Sequence, residues 1–227
     1  MWRGVTPKML SLAVQHLVGN KFNEIYPPEP ELKEEEEDAL TMEQRKERFI
    51  KITLQAIACK VTCVVVSQPL QVLAIRSMAE FVGGEDKFSG GLTAGLYGGV
   101  FSILNENGIL GFWSGLIPRM LGEVGILGLT ASLTFLVNTY LLEDKEMAQY
   151  TGHVAGFLAG SLCYPLQVTS TCMTVSRSGL MAGYPPRMPL YTGWLDCLSH
   201  LRSQGQLKRG SSLIFRYYTG PQVGEIL

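Results

Sequence analysis

The sequence contains one short motif twice, and this repetition constrains the fold more than any other feature. Residues 67–72 read SQPLQV and residues 163–168 read CYPLQV, each inside a long apolar stretch. Two copies roughly one hundred residues apart indicate an internally repeated architecture. A proline inside an apolar helix removes a backbone hydrogen bond and kinks the axis, which lipid tolerates only where neighbouring helices satisfy the freed carbonyl. We therefore expect helix kinks at Pro69 and Pro165 that face protein or a polar cavity.

Long uncharged stretches predict helices that span a membrane. No side chain carries a formal charge between Glu146 and Arg177, or from residue 124 to 142, and a helix needs about 20 residues to cross the hydrocarbon. Residues 49–79 are apolar too, but they include three bases that a bundle would have to shelter: Lys51, Lys60 and Arg76. Residues 9–20 are a weaker candidate. We expect about four spans, and the alternative is a soluble helical protein with buried helices.

An acidic connector lies between the stretches at 9–20 and 49–79. Residues 27–48 begin with prolines and contain a run of five acids at 34–38. Such a composition cannot bury apolar area, so we expect it to stay in water. At its end, Thr41 followed by Gln44 provides the signature of a capped helix start, which favours an early beginning of the next helix.

Several classes of protein are disfavoured by what the sequence lacks. It has no glycine-rich phosphate loop, no HExxH motif and no CxxC spacing, and its three histidines are far apart. We therefore predict no enzymatic activity, no cofactor and no metal site, and we interpret the five cysteines as reduced and structural. No secretory signal peptide is visible at the start. The basic residues towards the end favour contact with lipid head groups over a nucleic-acid surface; they are Arg202, Lys208, Arg209 and Arg216.

The segments around the repeated motif recur in the same order. Each proline is followed by a short amphipathic stretch, and residues 2–8 (WRGVTPK) align with residues 113–119 (WSGLIPR). This alignment predicts that the chain begins in the middle of a repeat. We therefore divide it into four parts. They are the remnant of a first repeat at 1–26, the acidic linker at 27–48, a second repeat at 49–147, and a third repeat at 148–227 without its last span, because too few residues follow Arg216.

These motifs resemble the mitochondrial carrier superfamily, whose repeats read Pro-x-acid-x-x-base-x-base before a short surface helix. Gln71 and Gln167 stand at the acidic positions, and Arg76 is the one charge retained of the six expected. Carriers close their cavity with ion pairs between these charges, so a gate of that kind is not expected here. The chain is more similar to a divergent outer-membrane branch, the mitochondrial carrier homologue family, through residues 115–123 (GLIPRMLGE) and 179–186 (GLMAGYPP).

The resemblance implies a fold and a function. The fold is an all-α membrane protein, an incomplete carrier-like bundle with kinked helices and short amphipathic surface helices, in the outer mitochondrial membrane with several spans. The function is non-enzymatic insertion of α-helical and tail-anchored proteins, with lipid scrambling and a receptor role for a pro-apoptotic BH3 protein. Membrane lipids and these client proteins are the expected partners. The alternatives are a mitochondrial solute carrier or an inactive shortened form.

A bundle that lacks a wall would expose a polar groove to lipid, and we predict which side chains line it. An acid within a membrane span is a functional candidate, although Glu123 could also simply pair with Arg119 one turn earlier. The tyrosine before the second proline could line the cavity or cap a broken helix, and the motif glutamines could line the groove or tie helices together. We expected Arg76 to reach an interface. The predicted groove residues are Glu123, Tyr164, Lys60, Arg119, Gln71 and Gln167.

Small residues predict where two of the helices pack. Gly152, Gly156 and Gly160 recur every four residues, flanked by alanines, which lets another helix approach closely. On the preceding span Gly122, Gly125 and Gly128 recur every three residues. We predict that these two spans are mutual partners in one bundle.

Overall fold

The computed structural model describes residues 4–30, 41–85, 94–140 and 145–207. Over these residues the chain forms helices and turns, which confirms the all-α prediction. The middle of the acidic linker, the glycines at 90–91, and the bases Lys208, Arg209 and Arg216 lie outside the described residues. The α-helices of the described part are α1 (Val5–Ile25), α2 (Met42–Gly83), α3 (Ala94–Asn107), α4 (Leu116–Tyr140), α5 (Lys145–Val175) and α6 (Trp194–Ser203).

Helix α2 begins at the cap that the sequence predicted. The Thr41 hydroxyl accepts a hydrogen bond from the Gln44 backbone amide, and the Gln44 side chain accepts one from the Thr41 amide, at 3.5 and 3.1 Å. The helix ends at Gly84, which adopts the left-handed conformation at φ 68°. Its 42 residues correspond to a length of about 60 Å, roughly twice the hydrocarbon thickness. Its ends therefore extend beyond any membrane that it crosses.

Two helical segments are long and apolar enough to cross a membrane: Met42–Gly83 and Ile109–Tyr140. Their most apolar windows are only 11% and 6% buried within the protein, whereas the core helix of a soluble protein would be mostly buried. Exposed apolar side chains such as Leu54, Leu129 and Leu136 account for this surface. An apolar exterior of this kind fits lipid better than water.

Helices α1 and α5 are not among the segments that are long and apolar enough to cross a membrane. Length and composition therefore support only two of the predicted spans in the described part of the chain. Helix α5 is uncharged from residue 147 to 175, but glycines, hydroxyl side chains, Tyr164 and Gln167 lower its hydropathy. Pro69 and Pro165 lie inside continuous helices, α2 and α5, in equivalent places.

The four long helices pack mainly in a row in the order α1, α2, α4, α5, with further contacts between α2 and α5, and α6 lies on α5. A small apolar core lies beside the C-terminal part of α2, where Leu73, Ile103 and Leu180 are fully buried. Polar side chains are buried as well, among them Gln68, Arg76, Thr169 and Thr174. The described bundle therefore combines an apolar outer surface with an interior that contains both apolar and polar side chains.

Helices α4 and α5 pack against each other, as the sequence predicted. A Cβ atom added at Gly125 would lie 3.0 Å from the Cys163 sulfur, and one at Gly122 would lie 3.5 Å from the Cβ of Leu166. These two glycines therefore provide the close approach on α4. Gly128 faces open space.

Of the three glycines predicted to form a contact stripe on α5, only Gly156 faces α4. A Cβ atom at Gly156 would touch Thr130 of α4 at 3.8 Å, but at Gly152 and Gly160 it would meet nothing within 4 Å. The flanking Ala155 and Ala159 are buried instead. Two stripes of small residues run side by side on this helix, about 100° apart, and spacing alone does not decide which of them faces a partner.

We expect Ala159→Leu to destabilise the bundle, whereas Gly160→Ala should not. Ala159 is fully buried, so a larger side chain overpacks the interface at a cost of about 1–3 kcal/mol. Gly160 has room for a methyl group, and alanine is the better helix former by roughly 1 kcal/mol. Thermal unfolding in detergent compares the two variants. A greater loss of stability in Gly160→Ala would show that the glycine stripe is the contact face after all.

Candidate functional site

A line of polar side chains follows one face of α2. Lys60, Ser67, Gln68 and Gln71 are spaced by seven, one and three residues, and such positions share a face of an α-helix. Helices α1 and α4 add polar side chains on either side. We call this set the polar stripe; its members are Lys8, Gln15, Lys60, Ser67, Gln68, Gln71, Arg119 and Glu123.

The stripe contains an ion pair between two apolar helices. The Lys60 ammonium of α2 lies 3.2 Å from the Glu123 carboxylate of α4, and their side chains are 37% and 29% exposed. Both helices are candidate membrane spans. The pair therefore brings together two of the predicted groove residues, and it crosses between helices, unlike the alternative of Glu123 with Arg119 on the same helix. Its partial exposure keeps both charges within reach of a third group.

Arg119 binds to α2 instead. Its Nη1 donates a hydrogen bond to Oε1 of Gln68 at 2.5 Å, and Nε2 of Gln68 donates to the carbonyl of Ser114 at 3.0 Å. Gln68 is almost fully buried, so both ends of its amide are held by the beginning of α4 and the turn before it. The sequence analysis missed Gln68, although its place next to Pro69 in the repeated motif was a usable signal.

Helix α1 contributes two members that the sequence analysis also missed. The Lys8 ammonium donates to Oε1 of Gln71 at 2.7 Å, and the Gln15 amide donates to the Ser67 hydroxyl at 3.0 Å. Lys8 and Gln15 are seven residues apart and therefore share a face of α1. That spacing could have identified them. Gln71 thus ties two helices together, which was one of its two predicted roles.

Two predicted groove residues lie apart from the stripe. Gln167 is exposed on α5, with its Cγ next to Gly122 of α4. Tyr164 is half-buried on the same helix. Within the described part of the chain neither one joins the hydrogen bonds of the stripe, so their groove role remains a prediction.

The polar stripe carries more positive than negative charge. Its described members include three cations, Lys8, Lys60 and Arg119, and one carboxylate, Glu123. Lys8 is close enough to Arg119 and Glu123 to feel both charges. Charges of one sign reinforce each other where low-dielectric walls exclude water. The stripe is therefore suited to attract an anionic group.

Arg76 occupies a second polar cluster and does not reach an interface, so that expectation was wrong. Its side chain is fully buried. Nε donates to the Thr174 carbonyl of α5 at 3.1 Å, and Nη1 donates to Oδ1 of Asn107 of α3 at 3.0 Å. The Asn107 amide in turn donates to the Arg177 carbonyl at 2.9 Å. This arginine fastens three helices together, and its long side chain finds acceptors inside the protein before it could reach water.

Among the described residues, no group of three or more His, Cys, Asp or Glu side chains could hold a metal ion. The side chains of the stripe are amines, a guanidinium, amides, a hydroxyl and a carboxylate, which interact through charge and hydrogen bonds. Such groups bind and orient polar parts of another molecule without any covalent step.

Known proteins with similar sequences identify the family of this chain. The family described as "Mitochondrial carrier protein" matches residues 45–145, which include α2, α3 and α4. Mitochondrial carrier homolog 2 of mouse is 36% identical over 225 residues, covering 95% of this chain and 72% of the relative. The human homolog 2 is also 36% identical, over 224 residues and with the same coverage. Mitochondrial carrier homolog 1 of mouse is 31% identical over 238 residues, covering 95% of this chain and 59% of the relative. With such identity along nearly its whole length, the chain belongs to the mitochondrial carrier homologue family.

Proposed function

We propose that this protein inserts α-helical segments, including those of tail-anchored proteins, into the outer mitochondrial membrane without enzymatic chemistry. The polar stripe is the groove that receives the polar end of the inserting segment. The single observation that carries this proposal is the Lys60–Glu123 ion pair. It lies about one third exposed between two helices that are long and apolar enough to cross a membrane.

The main cost of inserting a helix is the transfer of its hydrophilic end across the hydrocarbon. A polar group that loses water without gaining a partner costs several kcal/mol, and a charge costs more. Fixed charges and amides along a helix face lower this cost because they replace water. Lys60 and Glu123 are already partly desolvated in the ion pair. Exchanging one partner for a client group therefore requires little further loss of hydration.

The order of the helices supports a groove that opens to lipid. In the described part of the chain, α1 and α5 are the two ends of the row rather than a packed pair. A row with two ends leaves its polar side accessible from the bilayer, whereas a closed ring would not. A client helix could then leave sideways once its polar end has crossed.

Solute transport by alternating access receives less support from the same residues. A carrier needs charges in its proline motifs that pair and separate. Here Gln71 is hydrogen-bonded to Lys8, and Arg76 is buried and held by Thr174 and Asn107. In the structure these contacts join neighbouring helices and leave no charge pair that could act as a gate in these motifs. Lipid scrambling is a part of the proposal because the same stripe would carry head groups. The receptor role for a pro-apoptotic BH3 protein rests on family resemblance alone.

We expect Glu123→Leu to lower insertion of a tail-anchored client about tenfold, equivalent to about 1.4 kcal/mol in the barrier. Leucine removes the one carboxylate of the described stripe and leaves Lys60 unpaired in an apolar setting. The measurement is the rate at which a purified client becomes protease-protected in vesicles that contain the full chain.

Glu24→Leu is the matched control, because Glu24 forms an ion pair with Lys21 at 2.7 Å on an exposed surface of α1. It should insert the client like the unmodified protein. Unchanged insertion by a folded Glu123→Leu variant would remove Glu123 from the groove. A gain of solute exchange without insertion would favour a transporter.

A further inference from the structure

A second feature lies where α6 meets α5, apart from the polar stripe. Tyr191, Cys197 and Leu201 are buried there, and Cys172 and Met173 of α5 pack against them. Helix α6 is short, and α5 is the helix on which it mainly rests. Contacts that stabilise this cluster also hold α6 against α5.

Two thiols from different helices meet in this cluster. Cys172 of α5 packs against the cluster that contains Cys197 and Tyr191, and the two thiols are close enough to influence each other. The Tyr191 hydroxyl lies 3.0 Å from Nδ1 of His200. Cys197 is fully buried, whereas Cys172 is half-buried. A reagent from solution therefore reaches Cys172 first.

We propose that Cys172 and Cys197 form a reversible disulfide that staples the surface helix α6 to α5. Thiols of residues that already pack against each other can approach to the bond length of about 2.0 Å by side-chain rotation. Neither helix has to unfold, because the two residues come from separate elements that already touch. The cysteines become a modification site for small oxidants.

The chemistry balances with oxidised glutathione as the oxidant. The Cys172 sulfur attacks one sulfur of oxidised glutathione, which forms a mixed disulfide and releases one reduced glutathione. The Cys197 sulfur then attacks the Cys172 sulfur, which closes the protein disulfide and releases the second reduced glutathione. The hydrogen bond with Cys172 and burial raise the pKa of the Cys197 thiol, so the second step is the slower one.

The chain contains its own control pair. Cys59 and Cys63 are also neighbours, but they stand four residues apart on one helix, α2, and the Cys63 thiol donates to the Gln15 carbonyl at 3.4 Å. Cβ atoms at this spacing are about 5–6 Å apart, whereas a disulfide needs about 3.5–4.5 Å. That pair should therefore stay reduced where Cys172 and Cys197 become linked.

The test uses the full chain in lipid nanodiscs, equilibrated with defined ratios of reduced to oxidised glutathione and then blocked with N-ethylmaleimide. Trypsin yields residues 146–177, which contain Cys163 and Cys172, and residues 188–202, which contain Cys197. A further chymotryptic cut after Leu166 separates Cys163 from Cys172. We expect mass spectrometry to find the Cys172–Cys197 peptide increasing with the oxidised fraction and disappearing again in reduced glutathione.

Recovery of both peptides only as blocked thiols or glutathione adducts, even in oxidised glutathione alone, would overturn the proposal. Equal linkage of Cys59 to Cys63 would do the same. In Cys197→Ala, the mixed disulfide at Cys172 should persist because nothing resolves it, whereas the unmodified chain should show it only transiently. If that variant fails to fold, the measurement on the unmodified chain still decides.

Discussion

Replacing Arg76 with leucine should destabilise the bundle by about 3 kcal/mol, which for a chain of this size corresponds to roughly 6–12 °C in the unfolding temperature. The guanidinium is fully buried, and it satisfies the Thr174 carbonyl and the Asn107 side chain. Leucine fills part of the space but leaves both acceptors without a donor. The charge of Glu106, which lies near Arg76, also loses its nearby cation. Thermal unfolding of the purified protein in detergent measures the change.

Arg76→Lys should not rescue this loss. The donors of arginine form a planar fork that reaches two acceptors at once, whereas lysine presents one compact charge. Arg187→Leu is the control, since Arg187 is exposed and its change should stay within about 0.5 kcal/mol. Equal unfolding temperatures for Arg76→Leu and Arg187→Leu would mean that the cluster does not hold the three helices together.

Gly115→Ala should be comparably severe, with an expected loss of about 3 kcal/mol or more from strain and overpacking together. Gly115 has φ 71°, and a Cβ atom there would lie 2.5 Å from the Ser170 carbonyl and 2.7 Å from the Thr174 hydroxyl. The Gly115 carbonyl also accepts a hydrogen bond from the Ser170 hydroxyl at 2.9 Å. A side chain would therefore push the beginning of α4 away from α5.

Gly84→Ala separates backbone strain from the steric clash. Gly84 has φ 68°, but a Cβ atom there meets nothing within 4 Å. Its replacement should cost about 1–2 kcal/mol, the penalty for a left-handed residue with a side chain. Chemical denaturation of both variants gives the comparison. Equal losses would show that backbone strain alone, and not the contact with α5, makes Gly115 necessary.

Local sequence signals predicted the helices well. The cap at Thr41, the prolines inside two helices and the contact of α4 with α5 all follow from residues close together in the chain. The cap and the place of each proline depend on neighbours within one or two turns. Such features can be read without knowing the arrangement of the bundle.

The polar contacts depended on information that a single helix does not contain. In the sequence, Lys8 only precedes the weak candidate span at 9–20. It is hydrogen-bonded to Gln71 because α1 lies beside α2. Arg76 has the length to reach an interface, yet it meets acceptors from α3 and α5 first. Periodicity identifies a face of a helix, but the partner of that face depends on the packing angle and register between helices.

The repeated motif illustrates the same limit. Gln71 and Gln167 occupy equivalent positions, but Gln71 is bonded to Lys8 whereas Gln167 is exposed. Helix α2 has neighbours on both sides, and α5 stands at the end of the described row. The same motif therefore lies inside a helix in both copies, but the two helices have different neighbours.

The proposed function requires direct contact between an inserting helix and the polar stripe. The most direct measurement places a photo-reactive diazirine amino acid at Gln71, within the stripe, or at Leu129, on the exposed outer face of α4. Each variant is illuminated while it inserts a tail-anchored client into vesicles. We predict that the client's membrane segment cross-links to position 71 and much less to position 129. Cross-linking at position 129 alone, or equally at both positions, would contradict insertion through the polar stripe.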